Sequence, residues 1–81
     1  MTNLEKLREL VIDVFLLDPA EFRFDLTRDE VETWDSLALV SLAVGIQSTF
    51  GYHPTPAEAM SIHGVQDVIR ILTAKGVSFE D

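Results

Sequence analysis

The stretch VETWDSLALVSLAVGIQSTFG, Val31 to Gly51, is almost wholly apolar or small after its first five residues. Asp35 is a good N-cap, because its carboxylate can accept from amides that the first helical turn leaves without partners. Gly51 supplies a left-handed stop just after Phe50. The spacing therefore predicts a helix over 36–50. At 100° per residue, Leu39, Leu42, Ala43, Ile46 and Phe50 fall in one sector, wide enough to be buried against neighbouring helices. The opposite sector holds Ser36, Leu37, Val40, Ser41, Val44, Gly45, Gln47 and Ser48, and after Asp35 the helix carries no charge at all. A soluble helix normally turns charged side chains to water. Leu37, Val40 and Val44, with the small Ser41 between them, thus make an apolar patch that starts beside Ser36 and is expected to dock another protein.

Outward from this helix the pattern stays helical. TNLEKLRELVIDVFLL has Thr2 three residues ahead of Glu5, a capping-box spacing, and Leu4, Leu7, Val11, Val14 and Phe15 on one stripe. A first helix is expected over 3–17, stopped by Asp18-Pro19. In HPTPAEAM, Thr55 as cap, Pro56 at the first helical position and Glu58 at the third predict a short helix over 56–60. SIHGVQDVIRILTAKG puts Ile62, Val65, Val68, Ile69 and Leu72 on a stripe and ends in Lys75-Gly76, giving a last helix over 64–75. The tail VSFED is expected to fray. The fold class is all-α: one domain over 1–81, a small bundle of three main helices and one short one, with a long loop between the first two.

That loop is itself informative. From Asp18 to Asp35 it carries seven acids against Arg23 and Arg28, a net −5 of the chain's −8. So long a connection in so small a domain tends to be functional. Phe22, Phe24, Leu26, Val31 and Trp34 are expected to pin it to the core.

Composition narrows the function. With 81 residues, 47% of them hydrophobic, the chain can form one small core but not an enclosed, many-walled active site. An excess of acid argues against nucleic-acid phosphates as partners. The chain has no cysteine, so no thiolate nucleophile, zinc-thiolate site or disulfide. No apolar run approaches a membrane span and MTNLEKLREL lacks a signal-peptide layout, so the expected compartment is the cytoplasm. His53 and His63 sit beside turns without a ligand or acid-base partner pattern, and are read as surface or capping residues. The acidic loop lacks the glycine and ligand spacing of an EF-hand, and no oxyanion hole or base is signalled around Ser36. No enzyme activity and no metal site are expected.

WDSLALVSLAVGIQSTFGY, preceded by a helix and followed by TPAEAMSIHGVQDVIRIL, resembles the acyl carrier protein family over essentially the whole chain. Asp-Ser-Leu alone is weak evidence; its place at the head of the second helix, with Phe50-Gly51 and a last helix from about Val65, is specific. The resemblance implies that Ser36 receives 4′-phosphopantetheine from coenzyme A through a phosphopantetheinyl transferase. It implies that Asp35 is the motif acid assisting that magnesium-dependent transfer, and that Leu37 is the apolar contact after the serine. The protein would be a carrier, not a catalyst. Its partners would be enzymes that load acyl or aminoacyl groups and process them, and it would act as a monomer.

Two departures stand out. Fatty acid carriers of the family typically place acids along the second helix, where this chain has Ala38, Ser41, Gln47 and Ser48. Trp34 replaces the small or aliphatic residue common before the motif. It is similar to free-standing carriers of specialised pathways (polyketide, aminoacyl or sugar-modifying), and equally serves as an anchor of the loop. The alternative from another class is an unmodified interaction module docking through Leu37, Val40 and Val44.

Overall fold

The structure, a computed structural model, describes residues 1–79. Four helices follow in order: α1 Asn3–Phe15, α2 Ser36–Phe50, α3 Pro56–Met60 and α4 Val65–Ala74, with 3₁₀ turns at Pro19–Glu21 and Arg28–Glu30 in the first loop. No sheet forms among the described residues; an isolated antiparallel bridge pairs Thr27 with Gly64.

Local chemistry accounts for the helix starts. Thr2 Oγ1 accepts from the Glu5 amide at 3.1 Å while the Glu5 carboxylate accepts from the Thr2 amide at 3.2 Å, a closed capping box. Thr55 and Glu58 repeat the device at α3. Asp35 Oδ1 accepts from the Ala38 amide at 2.8 Å to open α2, and Gly51 closes it at φ 80° with its amide on Gln47 O.

The end of α1 differs from the sequence expectation. It comes two residues before Leu17, because exposed Leu16 takes the left-handed conformation at φ 55° ahead of Asp18-Pro19. That turn lets Leu17 fold back onto the core, and the Leu17 amide reaches Ile12 O at 3.0 Å. The Phe15 carbonyl, left open by the end of the helix, accepts from Thr33 Oγ1.

Leu7, Val11 and Phe15 of α1 meet Leu42 and Ile46 of α2 and Val65, Val68, Ile71 and Leu72 of α4 in one core. Leu39 and Phe50 are half-buried at its edge. In α4 the stripe is displaced: Ile71 is buried and Ile69 only half-buried, whereas the periodicity favours Ile69. Which flank of a helix is covered depends on its neighbours, not on its own period.

The long loop is pinned as expected. Leu26, Val31 and Trp34 are buried, and Phe22 and Phe24 pack edge to face at 4.8 Å against the core's margin. Trp34 stacks on Phe15 with centroids 4.3 Å apart. Main-chain bonds from Arg28 N to His63 O and from Val65 N to Leu26 O tie the loop to the start of α4. The tail corrects an expectation: Val77 and Phe79 pack on the core, Phe79 lies 5.7 Å from Phe50, and Asn3 donates to Ser78 O at 2.7 Å. Two half-buried apolar side chains outweigh the fraying of so short a segment. Residues 80 and 81 of the expected frayed tail lie outside the described residues.

Candidate functional site

Ser36 is the first residue of α2 and is exposed. Among the described residues its hydroxyl has no hydrogen-bond partner, and the amides of Ser36 and Leu37 have no acceptor. Asp35 directs one carboxylate oxygen into the helix as its cap. The head of α2 thus presents a free hydroxyl among free N–H groups, an electrostatic setting that favours an anion.

Ser36 stands between two hollows. On one side, Leu39, Val40, Ala43 and Val44 of α2 face Pro54, Pro56, Ala59 and Met60 across an apolar groove of about 380 Å³, in which Ser36 and His53 are the polar side chains. On the other, a hollow of about 390 Å³ is lined by Arg28, Trp34, Asp35, Ser36, Leu39 and Met60. Ser36, Leu39 and Met60 belong to both.

The wall made by α3 is held by local bonds. Tyr52 donates its hydroxyl to Glu58, which also accepts from the Thr55 amide. The Tyr52 bond, then the Thr55 bond, keep the Glu58 carboxyl below the usual carboxylate range.

Leu37, Val40, Ser41 and Val44 all emerge on the solvent side of α2. Leu37 is 79% exposed, Val40 62% and Val44 52%, and Met60 extends the apolar surface at 76%. No segment among the described residues covers them. Sequence reasoning missed Met60, which reads only as the end of a short helix, and Arg28, which reads only as a minor cation in an acidic loop. His63, expected at the surface, is exposed, and its Nδ1 lies 3.3 Å from an Arg28 guanidinium nitrogen. His53 is exposed at the apolar groove. Among the described residues no group of three or more His, Asp or Glu is placed to hold a metal ion, and no helix is long and apolar enough to cross a membrane.

No family model matches the chain. It is 38% identical over 71 residues to polyketide-8 synthase acyl carrier protein 2 of Streptomyces avermitilis, spanning 88% of this chain and 82% of that one. It is 31% identical over 75 residues to an acyl carrier protein of Solidesulfovibrio magneticus, spanning 93% and 96%. A third relative, an acyl carrier protein of Petrotoga mobilis, is 30% identical over 71 residues, 88% of this chain and 84% of that one. Relatives of this identity, covered over more than four fifths of their length, show the family: the chain belongs to the acyl carrier protein family.

Proposed function

We propose that this protein carries acyl groups on 4′-phosphopantetheine attached to Ser36, as a cytoplasmic carrier of a polyketide-type or similarly specialised pathway. The observation that supports this most is the exposed, unbonded Ser36 hydroxyl at the head of α2, beside amides without acceptors. These residues fit a phosphodiester, since the free N–H groups and the helix dipole favour negative charge there. When bound, the group supplies the terminal thiol that cysteine-free protein lacks, and with it thioester chemistry.

The chain's own residues hold and present. Ser36 has no base bonded to it, so its deprotonation is the work of a phosphopantetheinyl transferase. Asp35 keeps one oxygen on the Ala38 amide and leaves the other to the transferase's magnesium site. Leu37, Val40, Ser41 and Val44 form an uncharged docking stripe at helical spacing, with Met60 beside it. Apolar contact and shape then set affinity there, while the acidic loop draws basic-rimmed partners at long range. A surface of this kind differs from the acid-studded helix expected of a fatty acid carrier, and it accords with the likeness to a polyketide synthase carrier.

The test is intact mass after incubation with coenzyme A, magnesium and a broad-specificity phosphopantetheinyl transferase. One phosphopantetheine is expected on the wild type and none on Ser36→Ala. A folded wild type left unmodified by several transferases would favour the unmodified interaction module.

A further inference from the structure

We propose that Arg28 binds the phosphodiester of the group carried on Ser36, an inference that rests on the reading of Ser36 as the attachment site. Six Lys and Arg stand against fourteen acids in this chain, so an arginine without a carboxylate partner is conspicuous. Arg8, Arg23 and Arg70 each pair with an acid, and Lys75 lies over the Tyr52 ring. Arg28 makes no ion pair among the described residues, although Asp29 and Glu30 follow it directly. Glu30 is taken instead by Arg23 and by the Thr27 amide.

Arg28 is nevertheless held in place. Its main-chain amide donates to His63 O at 2.8 Å, and its guanidinium donates to His63 Nδ1 at 3.3 Å. Arginine only donates, so Nδ1 is the acceptor in this contact. One guanidinium nitrogen is thereby engaged and the rest of the fork is left for an anion. The hollow that Arg28 lines is also lined by Ser36. Asp35, the carboxylate sharing that hollow, caps α2 and does not close on the arginine. A phosphodiester on Ser36 would put a negative charge in the space between a fixed, unpaired cation and the two open amides of α2.

Arg28 is exposed, so its hold is weak and yields to salt. Weakness suits a carrier, whose arm must leave its own surface to reach an enzyme.

The experiment uses protein loaded from coenzyme A, with intact mass verifying a single addition. The exchange of the Arg28 Nε proton with water is compared between unloaded and loaded wild type by NMR. The ³¹P resonance of the loaded wild type is compared with Arg28→Gln, Arg28→Lys and Lys75→Gln. Lys75 packs beside Tyr52, beyond the far end of α2, roughly 22 Å from Ser36 for 15 residues at 1.5 Å each. Loading is expected to slow the Arg28 proton about threefold, the scale of an exposed ion pair. Arg28→Gln is expected to move the ³¹P line, Arg28→Lys to move it less and Lys75→Gln to leave it, with the differences vanishing in about 1 M salt. An unchanged Arg28 proton on fully loaded protein would overturn the inference and leave the carrier reading standing. So would a ³¹P difference that persists in salt, since it would report altered structure. Wild type that accepts no phosphopantetheine would sink both. If Arg28→Gln fails to fold, the wild-type proton exchange and Arg28→Lys decide.

Discussion

Thr33 Oγ1 donates to the main-chain carbonyl of Phe15 at 2.6 Å, joining the end of the long loop to the end of α1. The same two segments stack Trp34 on the Phe15 ring, immediately before Asp35 and Ser36. The bond therefore fixes the approach to the site as well as an open helix end. Thr33→Val keeps the shape and removes the donor, and is expected to cost about 1 kcal/mol in urea unfolding followed by Trp34 fluorescence. A variant as stable as wild type would show that water satisfies the carbonyl equally well.

Two glycines are expected to respond differently to alanine. A β-carbon on Gly64 would stand 2.8 Å from the Leu26 carbonyl oxygen, which also accepts from the Val65 amide. That oxygen cannot retreat without loosening the loop from α4, so Gly64→Ala is expected to cost about 1–3 kcal/mol. A β-carbon on Gly45 meets the Leu10 terminal methyl at 2.3 Å, at the end of a half-buried side chain that can rotate away. Gain in helix propensity of up to about 1 kcal/mol offsets that rearrangement. Urea midpoints should rank Gly64→Ala well below Gly45→Ala; the reverse order would mean the loop, not Leu10, is the soft partner.

Val40→Glu tests the solvent side of α2. At 62% exposure the change is expected to alter stability by no more than about 0.5 kcal/mol. Charge placed within an apolar contact is expected to weaken docking on the scale of an interface hot spot, about thirtyfold in kcat/KM for loading by a partner enzyme. Severe unfolding would mean that this face is covered in the native protein.

Asp67 couples the start of α4 to pH. It accepts from the His63 amide at 2.8 Å and from Arg70 at 3.0 Å, and these, the amide first, hold its carboxyl below its ordinary value of 3.8. Its contribution to stability is therefore complete above that value and is lost as pH falls through the lower, folded one. Asp67→Asn is expected to be less stable than wild type near neutrality, with the gap closing as the pH falls below the ordinary carboxylate range. Urea midpoints in the two pH ranges check this, and a gap that stays constant would place the effect in packing.

The sequence alone determined the all-helical class, the caps at Thr2, Asp35 and Thr55, the stop at Gly51 and the place of Ser36 at the head of α2. These are decided by bonds between residues three or four apart, which spacing reveals. It also showed that α2 has two apolar faces, and angle correctly assigned Leu42, Ala43 and Ile46 to the core and Leu37, Val40 and Val44 to solvent. Beyond that range only the tertiary structure spoke. The early end of α1 follows from Leu17 packing and from the bond of Thr33 to Phe15, eighteen positions apart; the burial of Ile71 over Ile69 follows from what lies beside α4; and the docking of Val77 and Phe79 follows from contacts with α2 and the core. The two hollows at Ser36 are of the same kind: Arg28 and Met60 come to them from separate segments, the loop held in place by the burial of Leu26, Val31 and Trp34 and by main-chain bonds to the start of α4. Such juxtapositions arise from packing many weak contacts at once, and no local pattern in the chain encodes them.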